Sequence, residues 1–430
     1  EVSSERIIYE RNVQMIAVIG LGYVGLTTAL GFSEKGFKVY GIDNNKEKSD
    51  SISSGRIPFF EENLSGILNK NLGKNFFIKK SFSECAADTE IIFLCVETPA
   101  DKDGAPDLTY LETALESVLQ AVKPRDNKII VIKSTVPPST TLKKIIPFIE
   151  KRGFKNGDNI HIVYNPEFLR EGTAWEDFIN PDRIIIGVDG EYPKRILNEV
   201  FEPFNAEVYF VSLNTSEFVK YLSNSFFAAL LSYSNEMSVI ADKIGGIDIK
   251  SAFELFHKDK RWFGTPAAVC GYVYPSCGFG GSCLPKDLNV LINKSDECGY
   301  NAKILKNIVE INMEIKTFWI NKITREITTE QPIAVLGLSF KPGTEDVRET
   351  PAYTIIKMLM EKGYNKITAY DPKACKSFDK TYNLPLNYSV SMQDAVSKSE
   401  VVIISSAWQE FLDNKDLLKN KTVFDLRYKL

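Results

Sequence analysis

Met15-Ile16-Ala17-Val18-Ile19-Gly20-Leu21-Gly22-Tyr23-Val24-Gly25 begins with a continuous apolar run and ends on three spaced glycines. An unbroken apolar run is the mark of a strand buried on both faces. The glycines permit a tight turn and let a pyrophosphate approach the N-terminus of the helix that follows. That helix is expected to run to about Gly36. A second strand, Lys38–Ile42, then ends at Asp43. Strand, glycine loop, helix, strand and acid together form a dinucleotide-binding unit. Gly20, Gly22, Tyr23, Val24 and Gly25 would cradle the phosphates. Asp43 would accept hydrogen bonds from the adenosine ribose and repel a 2′-phosphate, which favours NAD over NADP.

Downstream, strands and helices keep alternating: Ile91–Val96, Leu108–Val122, Lys128–Ile132, Ser139–Lys151 and a strand end at His161–Tyr164. Such alternation implies a parallel, doubly wound sheet. Two strand ends carry polar residues, Glu97-Thr98-Pro99 and the stretch from Lys133 to Pro138. Ligands of open α/β sheets bind outside the carboxyl ends of strands, so Thr98 and Thr135 point at the cofactor crevice. Ordinary turn chemistry is the alternative for each.

The pattern changes at Asn214. Ser216 to about Lys243 reads as one helix without proline or glycine, roughly 42 Å long at the helical rise. Lys220 and Asn224 share one face of it. Val219, Leu222, Phe226 and Phe227 suggest that part of this helix is deeply buried, and a lysine there needs a partner or a task. Near Gln331 a second α/β unit begins with the strand Ile333–Leu338 and the segment Phe340–Glu349. A strand ending at Asp371-Pro372 and strands at Val401–Ser405 and Lys421–Asp425 follow. This unit lacks the G-x-G-x-x-G loop and is expected to bind a different nucleotide group, with Lys341 and Arg348 available for phosphate. The expected fold is therefore α/β, with two Rossmann-like doubly wound parallel-sheet domains joined by a long central helix and a small helical domain. The boundaries are an extension at 1–14, a dinucleotide domain at 15–212, a helical domain at 213–328 and a second Rossmann-like domain at 329–430.

Composition sets limits. A chain of 430 residues is too long for one ordinary core. Lys+Arg 52 against Asp+Glu 56 gives a net charge of -4, which suggests no nucleic-acid surface. No apolar run reaches the roughly 18 residues that span a bilayer. The first 14 residues lack the apolar core of a signal peptide, so a cytoplasmic protein is expected. Seven cysteines without C-x-x-C spacing suggest a reducing compartment and no metal site. With only two histidines, acid–base work falls to carboxylates, lysine or thiolate.

The second organising stretch is Gly278-Phe279-Gly280-Gly281-Ser282-Cys283-Leu284-Pro285-Lys286-Asp287-Leu288. Proline favours the first turn of a helix. Cys283 would then stand at a helix N-terminus beside Lys286, where thiolate is favoured over thiol. The glycines allow close approach to the backbone. This is how an activated nucleophile is built. A buried, inert thiol after a flexible loop is the alternative.

Taken together, GLGYVG (20–25), KSTVP (133–137), NPEFLREG (165–172), EFVKYLSN (217–224), GFGGSCLPKD (278–287) and FKPGTEDVRE (340–349) resemble the UDP-glucose/GDP-mannose dehydrogenase family, in family order and over nearly the whole chain. The resemblance implies a four-electron oxidation of a sugar C6 alcohol to a carboxylate with two NAD. Cys283 would carry a thiohemiacetal and then a thioester. Lys220 and Asn224 would stabilise the alkoxide, and Glu167 would act as base or water-positioning carboxylate with Thr135. Asp287 would orient lysine and water. Further cofactor contacts are implied at Lys48, Thr98, Thr135, Glu171 and Arg348, and substrate contacts at Phe168, Leu169, Arg170, Phe279, Gly280, Gly281 and Lys341. The GGSC motif looks more like enzymes of UDP-glucose or GDP-mannose than those of UDP-N-acetylhexosamines, which often carry histidine at the place of Ser282. Glu97, Leu230, 259–264 and 273–277 depart from the family pattern and leave the hexose open. A two-electron alcohol dehydrogenase and a non-catalytic NAD or nucleotide-sugar binding protein are the other classes. A homodimer through the central helix is expected.

Overall fold

The computed structural model describes residues 15–430 except 60, 62, 100–105, 124, 125, 171, 266, 268, 270–274, 282 and 283. The chain forms two compact units, 1–228 and 229–430.

The first unit is built on an eight-stranded sheet. Its strands are β1 (Met15–Ile19), β2 (Lys38–Ile42), β3 (Phe76–Lys79), β4 (Ile91–Leu94), β5 (Lys128–Ile132), β6 (Ile160–Tyr164), β7 (Ile184–Val188) and β8 (Val208–Val211). They lie in the order β3-β2-β1-β4-β5-β6-β7-β8. Order reverses between β1 and β4, which places a ligand crevice where those two strands end. Apolar runs on β1, β4 and β5 are buried on both faces because helices cover both sides. On one side the helix Tyr23–Glu34 drives Leu26, Leu30 and Phe32 into the core, where Phe32 packs against Phe93, Phe178, Phe201 and Phe204. The sheet is parallel from β3 to β6. β6 and β7 then pair antiparallel through Val163 with Val188 and Tyr164 with Gly187, so the last two strands depart from the expected parallel pattern. The missing side chain of Gly187 lets the start of the central helix pack close: a Cβ there would sit 1.9 Å from the Ser216 hydroxyl oxygen.

The central helix runs Leu213–Ile244. Its burial differs from expectation. Leu222 and Phe227 are 51% and 59% exposed, and Val219 and Phe226 are half-buried, whereas Lys220 is buried. Leu222 and Phe227 face solvent while Lys220 points inward, where it meets the Glu167 carboxylate.

The second unit holds the helices Leu284–Glu297 and Lys303–Glu326 and a five-stranded parallel sheet. The strands are β9 (Ile333–Leu336), β10 (Ile367–Tyr370), β11 (Asn387–Tyr388), β12 (Val401–Ile404) and β13 (Thr422–Asp425), in the order β11-β10-β9-β12-β13. Among the described residues no helix is long and apolar enough to cross a membrane.

Candidate active site

The dinucleotide loop follows β1. Gly20 has φ +90°, and its N–H donates to the Ile42 carbonyl at 2.8 Å. A Cβ at Gly25 would lie 1.7 Å from the Gly20 carbonyl oxygen, so the helix can start this close to the strand only without a side chain. Gly22 precedes the helix with open space where its Cβ would stand and with no side-chain cap over the first turn. Uncapped N–H groups with no atom within 4 Å of where a Gly22 Cβ would stand fit a pyrophosphate. At the end of β2 the Asp43 carboxylate accepts from the Leu21 and Asn45 amides at 2.7 and 2.8 Å and pairs with Lys48 Nζ at 3.2 Å. Thr98 donates to the Thr135 carbonyl at 2.7 Å, tying the segments that follow β4 and β5 together. These residues fit NAD.

Past the end of β6, a cavity of about 510 Å³ is lined by Lys133, Asn165, Glu167–Arg170, Arg183, Lys220 and Asn224, among others. Lys220 Nζ meets Glu167 Oε1 at 2.7 Å, with both side chains largely buried. The other Glu167 oxygen accepts from the Leu169 amide at 2.7 Å and so folds the loop around its own acid. The Phe168 ring has two cations on it, Lys220 Nζ at 5.5 Å and Arg183 Cζ at 4.8 Å from the ring centre. Asn224 follows one helical turn after Lys220. The Arg170 guanidinium forks onto Asp177, and this contact, before all others, holds the Asp177 carboxyl below the usual carboxylate range. An ammonium and an amide on one helix face, opposite a carboxylate, can hold an oxygen that gains charge while the acid takes or places a proton.

Lys133 lies deeper, at the end of β5. Its Nζ donates to Asn165 Oδ1 at 2.9 Å, and Asn165 donates on to the Ile185 carbonyl at 2.8 Å. Burial pushes the Lys133 ammonium below the ordinary lysine value; Lys220 adds to the push, while Cys95 and Glu167 oppose it.

In the second unit the glycine stretch is gripped by its own chain. Asn312 clasps Phe279 on both sides, accepting from its N–H at 2.8 Å and donating to its carbonyl at 3.1 Å. A Cβ at Gly280 would lie 2.1 Å from the Glu349 carbonyl oxygen, and the Gly281 amide donates to the Arg348 carbonyl at 2.8 Å. The Glu349–Thr350 backbone thus stands against Gly280, and the Phe340 ring stands against Gly281, 3.0 Å from where its Cβ would be. Arg348 forks onto Asp346, and the Lys341 ammonium stands 5.5 Å from the centre of the Phe340 ring. Cys283 and Glu171 lie outside the described residues, as do the side chains of Lys286 and Asp287. Cys277 is fully buried with its thiol pushed up by burial, and Cys95 is pushed up to about 12 for the same reason.

Glu61, which accepts from the Tyr23 hydroxyl and the Gly172 and Trp175 amides, and Lys133, Asn165, Asp177, Arg183 and Asn312 shape these surroundings without having been singled out from sequence. Lys133 and Asn165 carried a signal, as polar residues directly after apolar strands. The partners of Glu61 and Asn312 are far along the chain, and nothing local marks them.

A strand-end dinucleotide cradle beside a cavity with a lysine–carboxylate pair defines an NAD-dependent α/β oxidoreductase. The chain belongs to the UDP-glucose/GDP-mannose dehydrogenase family. The family's NAD binding domain matches residues 14–205, its central domain 214–314 and its UDP binding domain 334–430. The chain is 36% identical over 425 residues to the UDP-glucose 6-dehydrogenase of Rickettsia bellii, covering 96% of this chain and 94% of that one. It is 32% identical to UDP-glucose 6-dehydrogenase AglM of Haloferax volcanii, covering 96% of each. Among solved structures, the GDP-mannose dehydrogenase of Pseudomonas aeruginosa superposes with TM-score 0.85 at 29% identity, covering 96% of each chain. The chain is thus an NAD-dependent nucleotide-sugar dehydrogenase.

Proposed function

We propose that the protein oxidises UDP-glucose to UDP-glucuronate in two NAD-dependent steps through a cysteine-bound intermediate. The observation that carries this reading is the buried Lys220–Glu167 pair with Asn224 beside it on the cavity wall. Lys220 and Asn224 hold the C6 oxygen as an alkoxide while the first hydride leaves. The Cys283 thiolate adds to the resulting aldehyde, giving a thiohemiacetal. Loss of its hydroxyl proton and a second hydride gives a thioester. Water placed by Glu167 with Thr135 cleaves the C–S bond, releasing the carboxylate and the thiolate, with Asp287 orienting lysine and water. NAD supplies the hydride acceptor for both oxidations; per sugar, one water enters and two NADH and three protons leave. The thiol route suits both steps because a thiolate is at once a good nucleophile and a good leaving group.

UDP-glucose is favoured by the names of the sequence relatives. GDP-mannose is the second reading, favoured by the structural likeness to the Pseudomonas enzyme. Exposed Phe218, Leu222 and Phe227 on the central helix support a homodimer through that helix. The free thiols among the described cysteines support a reducing, cytoplasmic setting.

The test is to count NADH per sugar with UDP-glucose, GDP-mannose and UDP-N-acetylhexosamines. Two NADH with UDP-glucose, and little turnover with the others, is expected. Cys283→Ser should yield a slowly hydrolysed ester seen as an intact-mass increase, and Cys283→Ala should lose most turnover. Two-NADH turnover by Cys283→Ala would refute the covalent route. Lys220→Ala should lower kcat by about 10²–10³-fold with a much smaller change in KM, because alkoxide charge develops in the transition state. A rise in KM alone would make Lys220 a binding residue.

A further inference from the structure

Glu61 lies on the segment just before the helix Leu64–Asn71, 4% exposed. Among the described residues no cation pairs with it. A buried carboxylate without a cation must be held by hydrogen-bond donors, and its donors come from two functional loops. The Tyr23 hydroxyl, from the glycine-rich dinucleotide loop, donates to Glu61 Oε2. The Gly172 amide is shared between that same oxygen at 3.0 Å and the Tyr23 phenol oxygen at 2.9 Å. The Trp175 amide donates to Oε1 at 3.2 Å. A phenol has one proton. The Arg170 carbonyl, at 3.2 Å, is a second and longer contact of the same hydroxyl. The Phe59 ring, 5.2 Å away, packs beside the phenol.

We propose that Glu61 is a positioning residue that locks the dinucleotide loop to the loop 165–172, so that binding at the dinucleotide cradle and at the Glu167–Arg170 wall of the cavity is coupled. Tyr23 stands in the first turn of the helix that follows the phosphate cradle, where a bound dinucleotide restricts it. Through its hydroxyl and Glu61 that restriction reaches the Gly172 and Trp175 amides, and from them the backbone that carries Phe168, Leu169 and Arg170. Coupling of this kind is reciprocal between the two ligands. The identity of the second ligand as a nucleotide sugar rests on the proposed function; the loop-to-loop lock does not.

Hydrogen exchange on the full chain, with NAD saturating each protein, reads the lock without any sugar. In the wild type NAD should slow exchange of peptides covering 168–176 by at least about fivefold. Tyr23→Phe, which loses only the hydroxyl, and Glu61→Gln should each show less than about a twofold effect. Thermal unfolding checks that both variants fold; if Glu61→Gln does not, Tyr23→Phe decides. No slowing by NAD in the wild type, or equal slowing in the variants, overturns the lock. Calorimetric Kd values for UDP-glucose with and without NADH test the sugar side. A tightening of about fivefold or more in the wild type, lost in both variants, is expected. An equal ratio in wild type and variants overturns the coupling. Failure of UDP-glucose to bind the wild type counts against the proposed substrate, and the exchange result then decides the lock alone.

Discussion

The two sheets repeat one device and put it to different uses. After β1, Gly20 at φ +90° presses against the Cys95 carbonyl past β4; after β9, Gly337 at φ +88° presses against the Ser406 carbonyl past β12. Each glycine amide donates at 2.8 Å to the last residue of the neighbouring strand, Ile42 or Tyr370. Each of those strands is followed at once by an aspartate that accepts from a leucine amide, Asp43 from Leu21 and Asp371 from Leu338. Beyond this point they diverge. Asp371 takes the amides of Leu338, Ser339, Lys373 and Ala374, the Ser339 hydroxyl and the Trp408 indole N–H. A carboxylate offers about four acceptor sites. Asp371 is spent on the fold, and it is 3% exposed. Asp43 takes two amides and a partly exposed lysine, is 9% exposed, and keeps capacity for ribose hydroxyls. The helix after Gly20 starts at Tyr23, while the helix after Gly337 waits until Pro351. One topology thus gives a dinucleotide cradle in the first unit and a locked strand end in the second. The difference lies in who supplies the donors around the aspartate.

Exchanging the roles of the two aspartates is the strongest way to break this comparison. Asp371→Ala should cost at least about 3 kcal/mol in unfolding, because several buried donors each lose an acceptor at about 1–3 kcal/mol. NAD Kd should stay near wild type. Asp43→Ala should do the reverse, raising NAD Kd about 10- to 100-fold and narrowing discrimination against NADP, with a smaller loss of stability. Equal effects of the two on NAD affinity would end the contrast.

The glycines come next. A Cβ at Gly337 would meet the Ser406 carbonyl at 2.4 Å, so Gly337→Ala should destabilise by about 1–3 kcal/mol while leaving NAD titrations unchanged. The smallest effect on the fold belongs to Gly22→Ala. No atom stands within 4 Å of a Cβ there, so unfolding should move by less than about 0.5 kcal/mol. NAD Kd should nevertheless rise about tenfold if the pyrophosphate uses that space. An unchanged Kd would put the phosphates elsewhere.

The first sheet was legible because its information is local. An apolar run, glycines at fixed offsets and an acid at a strand end are all visible within one stretch of chain, and in the fold Gly20 follows β1, Gly25 lies in the first turns of the helix and Asp43 follows β2. Lys220 was legible as a lysine needing a partner. The family resemblance offered Glu167 as a base or water-positioning carboxylate; that it is the partner of Lys220 is seen only in the folded chain. The expected burial of Leu222 and Phe227 failed because helical periodicity shows which residues share a face but not what covers that face. The glycines at 280 and 281 were read as allowing close approach, and the chain's own Glu349–Thr350 backbone and Phe340 ring make such approaches, which no local spacing announced.

Residue order alone was enough for the alternation of strands and helices, the dinucleotide loop and the family, since each depends on short-range spacing and backbone freedom. Tertiary structure decided the antiparallel turn of the sheet at β7, the saturation of Asp371, the burial of Lys133 and the meeting of Tyr23, Glu61 and Gly172. Those contacts join residues tens to more than a hundred positions apart, as with Glu61 and Gly172 at a separation of 111. A hydrogen bond is specified by distance and angle in space. Only the folded chain brings such distant groups into that geometry.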